Sequence, residues 1–438
     1  MRRSDLPIPL LLALCAAGIW ALFATAPAAV VQDRFLVVPW GWTRALGALI
    51  LAIGGVAGSA WLWGRSRRPL RAGRYALTAG THLFLWTAIA TTFYPVIYLL
   101  AVSFNRNDTL AGSLPREGPL WVRAGILPDP STVSLEQYRK VLSATNVVPY
   151  QWIFVAVAVA GLLTLIFVSM AARAERIPGH RADGYRRTAG FVLFGALAAL
   201  VVSIGPGQFY TVAADGTRVP AASDRTIVLF IRNTLLVSGM TGLFAVAIST
   251  TAGYAFARMR FEGRYQTLLT FVFVQMFPGF MALVAIYYLM SYLDLINTFT
   301  GLILAYSGGA IAFSAWIFKG YLESISPALE EAARVDGATR WGAFVRIILP
   351  ISVPMLLFIF LLQFINTYSE FILANTLLIG QENWTVGIGL RNFTTGRFDT
   401  QWGALAASAV LGSLPILAIF YSFQEALTGQ YQSGGVKG

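Results

Sequence analysis

Long apolar runs constrain this chain more than any other feature of its sequence. A helix that crosses a membrane needs roughly 20 consecutive apolar residues, and runs of about that length recur from one end of the chain to the other. Only 12% of the 438 residues are charged, whereas a soluble domain carries about 25%. The sequence therefore predicts an integral membrane protein built from α-helices.

About ten runs are long and apolar enough to span a membrane. The predicted spans are 7–31, 45–63, 76–103, 152–172, 188–205, 227–256, 265–290, 299–320, 347–366 and 403–424. Lys and Arg concentrate in alternate connecting segments, beginning with Arg2 and Arg3. Because cytoplasmic segments are enriched in these residues, both chain ends are predicted to be cytoplasmic. The same bias explains the formal net charge of +12 without a nucleic-acid partner.

The sequence lacks the common motifs of energy-coupling and catalytic sites. It contains no GxxxxGK[ST] phosphate loop, no HExxH and no CxxC pair. Cys15 is the one cysteine, and His82 and His180 are the two histidines, so a metal cluster of these residues is not expected. We expect no catalytic residue, no metal site and no cofactor bound by this chain. If it takes part in ATP-driven pumping, the ATPase must be a separate chain.

The predicted spans carry few polar groups, and the central ones are neutral. Gln275 and Gln363 suit a pathway for a neutral, hydroxyl-rich solute. A proton-driven carrier usually needs an ionisable relay inside the membrane, which these spans do not offer. Pro278 and Gly279 predict a kink in the span 265–290. That kink would either form a moving wall of a pathway or only shape the packing.

One polar stretch, residues 322–346, lies between two spans on the predicted cytoplasmic side. Ser326 and Pro327 predict the start of a short helix. Gly337 predicts its end in a left-handed conformation. Thr339 is predicted to begin a second short helix, which leads into the next span.

Acidic and basic residues nearly balance in this polar stretch. Glu330 and Arg334 have the spacing of a favourable ion pair along a helix. The predicted contact face, with the spacing of one side of a helix, comprises Leu329, Ala332, Ala333 and Asp336. A near-neutral surface with small residues favours a protein partner over nucleic acid. The alternative is an amphipathic loop that lies on lipid headgroups.

The polar stretch also carries a motif. Residues 331–350 read EAARVDGATRWGAFVRIILP and resemble, without mismatch, the EAA pattern of permease subunits in ABC importers. The resemblance implies that this coupling segment (residues 322–346) docks on a cytoplasmic ATPase, with Glu331 meeting a basic residue and Gly337 forming the turn. The implied ATPase-coupling residues are Glu330, Glu331, Ala332, Ala333, Arg334, Asp336, Gly337 and Pro350.

Further segments resemble MalG-like permeases of maltose and maltodextrin importers. They include YAFARMRFEGRYQ (254–266), QMFPGFMALVAIYYLM (275–290) and WTVGIGL (384–390). The resemblance implies a six-helix type I ABC importer permease core in the bacterial cytoplasmic (inner) membrane. It also implies four kinds of partner: a second, MalF-like permease, two ATPase subunits that bind ATP and Mg, an extracytoplasmic sugar-binding protein, and membrane lipid.

The resemblance does not extend over the whole chain, which predicts added membrane segments. We predict an extra two-helix segment at 1–75, the first core helix and outer loop at 76–150, an inserted two-helix segment at 151–222, and the permease core at 223–438. Each extra pair adds an even number of spans and preserves the orientation of the core. We expect these pairs to contact lipid or the partner permease.

The predicted outer loop between the last two spans combines aromatic and hydrogen-bonding side chains. By resemblance it contacts the binding protein and its sugar, with candidates Trp384, Asn392, Phe393 and Arg397. A membrane-interface aromatic belt is the alternative. Maltose or maltodextrin leads as the substrate, while trehalose, other oligosaccharides and glycerol phosphate stay open. A stand-alone secondary carrier and a membrane scaffold are the alternative classes of function.

Overall fold

The computed structural model covers the chain in two compact units, residues 1–98 and residues 99–438. Each unit is described by itself. The residues that the structure describes are 8–24, 30–32, 35–37, 41–67, 69–106, 122, 126–128, 130–146, 148–174, 178–213, 217–222, 225–276, 278–394 and 401–433.

Two long helices and most of a third make up the larger part of the first unit. Helix α1 (Ile8–Ala24) and helix α2 (Gly41–Arg67) are joined by a short antiparallel pair, β1 (Val30–Gln32) and β2 (Phe35–Val37). The two helices pack closely, because a Cβ atom placed on Gly55 would lie only 2.8 Å from the Cys15 sulfur. A 3-10 turn, Pro69–Arg71, then leads into α3 (Ala72–Ser103), which continues into the second unit.

A helical hairpin precedes the core of the second unit. After the short α4 (Glu136–Leu142), the chain forms α5 (Gln151–Arg173) and α6 (Gly179–Ser203). At their closest approach, a Cβ atom on Gly161 would lie 3.2 Å from the backbone nitrogen of Leu193, so only a glycine fits comfortably. The 3-10 turn Pro206–Gln208 follows this hairpin. An antiparallel strand pair comes next, comprising β3 (Tyr210–Val212) and β4 (Arg218–Pro220).

Helix α7 (Ile227–Arg258) lies at the centre of the core. The other long helices of the core are α8 (Arg264–Met276), α9 (Leu283–Tyr292), α10 (Phe299–Ser324), α13 (Leu349–Ser369) and α16 (Trp402–Ser433). Two glycines allow α7 to approach its neighbours: a Cβ atom on Gly242 would lie 2.9 Å from the Phe360 ring of α13, and one on Gly253 would lie 2.9 Å from the Phe318 ring of α10.

Short elements connect the long helices at both ends of the core. On the predicted cytoplasmic side they are α11 (Ala328–Val335), α12 (Arg340–Ala343) and a π-helical turn, Phe344–Ile348, which runs directly into α13. On the opposite side they are α14 (Ile372–Leu377), a 3-10 turn, Gln381–Asn383, and α15 (Val386–Asn392).

The number of membrane-length helices is smaller than predicted. Eight helices among the described residues are long and apolar enough to cross a membrane, and the α8–α9 pair would make a ninth if it acts as one span. Helix α1 has 17 residues and is shorter than these, and part of its predicted span, 7–31, lies outside the described residues. The count of ten and the orientation therefore remain predictions.

The predicted kink in the span 265–290 is a full break. Helices α8 and α9 are bent by 94° relative to each other. Pro278 precedes a 3-10 turn, Gly279–Ala282, from which α9 starts. Proline cannot continue the hydrogen-bond ladder of a helix, which explains why the break falls here.

The two polar side chains predicted inside the core both bond to α10. Gln363 is 5% exposed, and its amide nitrogen donates to the Ser314 hydroxyl at 3.0 Å. The Gln275 amide donates to the carbonyl oxygen of Gly309 at 2.8 Å, at an exposed position. These donors therefore hold helices together, and only Gln275 is also accessible from outside the chain.

Candidate functional site

Helix α11 of the coupling segment begins one residue later than predicted. Helix α11 starts at Ala328, and Pro327 occupies the preceding N-cap position. The Ser326 hydroxyl accepts a hydrogen bond of 3.4 Å from the backbone nitrogen of Ala328. Ser326 therefore satisfies one of the free donors at the start of the helix, as the sequence predicted.

The end of α11 confirms the prediction for Gly337. This glycine has a φ of +88°, a left-handed conformation that strains other residues. Its nitrogen donates to the carbonyl oxygen of Arg334 at 3.1 Å, and the Ala338 nitrogen donates to that of Ala333 at 2.9 Å. These two bonds form a Schellman motif, which closes the helix and reverses the chain.

The second short helix of the coupling segment, α12, also begins as the sequence predicted. The Thr339 hydroxyl accepts a hydrogen bond of 3.0 Å from the Gly342 nitrogen and caps α12. The π-helical turn that follows contains Phe344, which is 2% exposed. Pro350 is the second residue of α13 and directly follows this π-helical turn.

Glu330 faces inward and contacts the end of α7. It is 8% exposed. One of its carboxylate oxygens accepts from Arg258 Nε at 2.7 Å, and the other accepts from the Tyr254 hydroxyl at 2.9 Å. The predicted pair of Glu330 with Arg334 is therefore wrong, because both carboxylate oxygens bond to α7 and Arg334 is exposed.

The outward face of α11 combines apolar and charged side chains. Val335 is 88% exposed and Leu329 is 45% exposed. The other exposed residues of this face are Glu331, Ala332, Arg334 and Asp336. Of the predicted contact face, Leu329, Ala332 and Asp336 are exposed, whereas Ala333 is buried, at 8% exposed. Ala333 lies one turn after Glu330, so helical periodicity turns both toward the protein.

A polar cavity of about 140 Å³ lies between α11 and the end of α7. Its charged lining residues are Arg258, Glu330, Glu331, Arg334 and Arg340. Because Glu330 is already paired with Arg258, two arginines face a single remaining carboxylate. The cavity can accept a polar or acidic side chain presented from outside.

The segment after α13, residues 370–394, folds back against the core; we call it the outer segment. Asn233 of α7 is fully buried and donates to the carbonyl oxygens of Glu382 and Trp384 at 2.8 and 3.0 Å. The Thr234 hydroxyl accepts from the Val386 nitrogen at 2.8 Å. Helix α7 therefore fixes the outer segment through side chain–backbone bonds.

Two further polar residues hold the outer segment. The Asn297 carboxamide oxygen accepts from the backbone nitrogens of Ile379 and Gly380 at 3.0 and 2.8 Å. The Glu370 carboxylate accepts from the Leu373 nitrogen at 3.0 Å, which caps the start of α14, and from the Tyr306 hydroxyl. Non-helical backbone near a membrane is stable only when its polar groups are satisfied in this way.

The predicted sugar-contact residues do not form one exposed surface. Phe393 is 4% exposed and packs in a core cluster with Phe230. Trp384 is half-buried, and its ring lies tilted against that of Phe230, with 6.0 Å between the ring centres. Asn392 is half-buried at the end of α15, and Arg397 lies outside the described residues. The aromatic residues of this segment therefore stabilise the core in this structure.

Sequence reasoning missed Tyr254 and Arg258 as parts of the site. They lie four residues apart on α7 and so share one face of that helix. The only signal in the sequence is weak: a tyrosine and an arginine lie in the last turns of a span that precedes a segment rich in acidic residues.

Among the described residues, no group of three or more His, Cys, Asp or Glu side chains could hold a metal ion.

Comparison with known proteins identifies the family. The chain is 42% identical over 231 residues to the maltose/maltodextrin transport system permease protein MalG of Vibrio parahaemolyticus, covering 51% of this chain and 77% of that protein. It is 37% identical over 274 residues to MalG of Yersinia pestis, covering 56% of this chain and 89% of that protein. The chain belongs to the MalG-like family of ABC permeases.

Two further comparisons agree with this MalG-like assignment. Residues 245–430 match the family of binding-protein-dependent transport system inner membrane components. This match begins at Ala245 of α7 and includes the whole coupling segment. The fold resembles a chain of a bacterial ABC transporter involved in the import of the acidic polysaccharide alginate. That likeness has a TM-score of 0.51 at 15% identity and covers 79% of this chain and 94% of the other. The MalG-like chain is therefore a multi-pass membrane permease subunit with an ABC importer fold.

Proposed function

We propose that this MalG-like chain is the permease subunit of an ATP-driven sugar importer in the bacterial inner membrane. It forms half of an alternating-access pathway with a second, MalF-like permease. Two ATPase subunits, which bind ATP and Mg, supply the energy, and an extracytoplasmic binding protein delivers the sugar. The chain performs no chemistry itself.

The exposed face of α11 carries this proposal. Val335 and Leu329 are 88% and 45% exposed and give α11 an apolar surface, whose burial against a protein partner would be favourable. Glu331 and Arg334 flank it on the same exposed helix, and the cavity behind them is lined by further arginines. An apolar centre with a charged rim fits a protein partner, which in this family is the ATPase.

Maltose or maltodextrin is the proposed substrate. The relatives at 37% and 42% identity are both named as maltose/maltodextrin permeases, and the described spans offer neutral amides such as Gln275 toward a neutral solute. Trehalose, other oligosaccharides and glycerol phosphate are the competing substrates.

The test is reconstitution of the whole complex with its binding protein. ATP hydrolysis and sugar uptake are measured in proteoliposomes across a panel of maltose, maltotriose, trehalose and glycerol 3-phosphate. We expect maltose or maltotriose to stimulate hydrolysis most, and uptake to require the ATPase. Uptake by the chain without any ATPase would instead support a secondary carrier. ATPase binding without sugar-stimulated hydrolysis would support a scaffold.

A single substitution tests the coupling segment. Gly337→Asp places a side chain on a left-handed position in the turn that shapes α11. We expect loss of uptake and weaker recovery of the ATPase with the purified permease. Full sugar uptake by Gly337→Asp at normal expression would contradict the coupling role.

A further inference from the structure

We propose that Tyr254, Arg258 and Glu330 form a junction that makes α11 move as one body with the ends of α7 and α10. The inference rests on the proposed function, because it assumes that the ATPase pushes or pulls on α11. It assigns positioning roles to residues of α7 that lie outside the coupling segment. The junction is the path by which motion of α11 reaches the spans.

One guanidinium group connects three helices at this junction. Arg258 is the last residue of α7. Its Nε donates to Glu330 of α11 at 2.7 Å, and its Nη2 donates to the carbonyl oxygen of Ile325 at 2.7 Å. Ile325 is the residue that ends α10. Because the donors of a guanidinium point in fixed directions in one plane, the two bonds set the position and the angle of α11.

Burial distinguishes this ion pair from its neighbour. The side chains of Arg258 and Glu330 are 13% and 11% exposed. The pair of Lys319 with Glu323, one helical turn apart near the end of α10, has a similar distance of 2.8 Å but exposures of 22% and 44%. Water readily replaces an exposed pair, whereas separating a buried pair leaves charges without partners. The Arg258–Glu330 pair therefore resists separation under load.

Tyr254 extends the junction to the next span. Its hydroxyl donates to Glu330 at 2.9 Å, and its ring lies 4.5 Å from the ring of Phe344. Phe344 belongs to the π-helical turn through which α12 enters α13. Short π-helical segments concentrate at functional sites of helices. Displacement of α11 is thus transmitted to α7 and α10 by hydrogen bonds and toward α13 by aromatic packing.

The experiment separates transmission from simple stability. The complete complex is prepared in nanodiscs with Glu330→Gln, with Tyr254→Phe, and with Glu136→Gln, which breaks the exposed ion pair with Arg106 outside the coupling segment, as the surface control. Nitroxide labels are attached at Ala328→Cys in α11 and Glu262→Cys in the turn after α7, in a Cys15→Ala background. Distances between the labels are measured without nucleotide and after trapping with ATP and vanadate. Maltose uptake per ATP hydrolysed is measured in parallel.

The junction predicts a specific pattern of results. In the otherwise unchanged complex and in Glu136→Gln, the distance between the labels stays the same when ATP is trapped. In Glu330→Gln the distribution broadens or shifts on trapping, and uptake per ATP falls several-fold, because the charge that pairs with Arg258 is lost. The ATPase still co-purifies. Tyr254→Phe, which keeps the ring, gives a smaller change in the same direction and supplies the answer if Glu330→Gln does not assemble.

Several results would overturn the inference. One is an unchanged label distance together with unchanged uptake per ATP in Glu330→Gln. Another is an equal fall in uptake and hydrolysis with less complex recovered, which would indicate that the contact is merely structural. If maltose is not the substrate, the distance measurement decides alone, since it needs only ATP and vanadate. Failure of the proposed function would appear separately, as normal ATPase recovery and uptake in Gly337→Asp.

Discussion

The side-chain amide of Asn233 donates a hydrogen bond of 3.0 Å to the carbonyl oxygen of Trp384, which lies 151 residues later in the sequence. A second bond from the same nitrogen reaches the carbonyl oxygen of Glu382 at 2.8 Å. The outer segment is therefore held in place because a residue inside α7 donates hydrogen bonds to two of its backbone carbonyl oxygens. This relationship leads to the first prediction.

Asn233→Leu should destabilise the permease. Leucine has a similar size but leaves the two buried carbonyl oxygens without donors, which costs about 1–3 kcal/mol. We expect a lower midpoint of thermal unfolding in detergent. Asn375→Leu is the control, because Asn375 makes its side-chain bond with Arg391 at an exposed position. Equal midpoints for the two variants would show that Asn233 does not hold the outer segment.

Gly337→Ala and Gly263→Ala should differ in function although they introduce the same strain. Both glycines have positive φ values, +88° and +80°, and neither has an atom near the added Cβ. The substitution costs about 1–2 kcal/mol of backbone strain at each position. Only Gly337 shapes α11, so we expect reduced sugar uptake for Gly337→Ala and near-normal uptake for Gly263→Ala.

Uptake assays at matched expression check this pair. Gly337→Asn should recover part of the activity, because asparagine tolerates the left-handed conformation. Equal losses in Gly337→Ala and Gly263→Ala would mean that strain anywhere in the cytoplasmic turns impairs transport. The turn of the coupling segment would then have no special role.

Glu370 and Tyr306 should be energetically coupled. Glu370→Ala removes the cap of α14, which costs about 0.5–2 kcal/mol, and also removes the partner of the Tyr306 hydroxyl. Tyr306→Phe removes the hydroxyl alone. In a double-mutant cycle measured by thermal unfolding, we expect the combined loss to be smaller than the sum of the single losses. Strict additivity would show that the two groups do not interact.

Substitutions at Phe393 and Arg391 should have different effects, the first on the stability of the chain and the second on its response to the binding protein. Phe393 is 4% exposed, and Phe393→Ala should destabilise the chain by about 3–5 kcal/mol. Arg391 is exposed two residues earlier, and Arg391→Ala should change stability by no more than about 0.5 kcal/mol. If the outer segment meets the binding protein, Arg391→Ala lowers binding-protein-stimulated ATP hydrolysis in the intact complex.

The opposite result for this pair is equally informative. A stable Phe393→Ala variant with weakened response to the binding protein would restore Phe393 as a contact residue. Melting curves and stimulated hydrolysis, recorded on the same preparations, provide both measurements.

Local sequence chemistry predicted the coupling segment well. Gly337 and Thr339 act through bonds to residues within five positions, so their roles follow from short-range rules. The long helices were also predictable, because apolar runs of membrane length have few alternatives. Pro278 marked the break between α8 and α9 for the same local reason.

Contacts between distant residues could not be predicted in the same way. The spacing of Glu330 and Arg334 favours a helical pair worth only a few tenths of a kcal/mol. Glu330 bonds instead to Arg258, 72 residues away, in a buried site with a second donor from Tyr254. The outer segment was likewise interpreted as an exposed loop, because the donors that fold it inward come from Asn233 and Asn297.

The long reach of Asn233 has a consequence for how the chain is made. A ribosome adds roughly 5–20 residues per second, so the 151 residues between Asn233 and Trp384 take about 8–30 s to synthesise. Helix α7 is complete long before that interval ends. During it, the Asn233 amide depends on water, lipid headgroups or the insertion machinery for its hydrogen bonds. Substitutions at Asn233 therefore remove a contact that can form only after Trp384 has been synthesised.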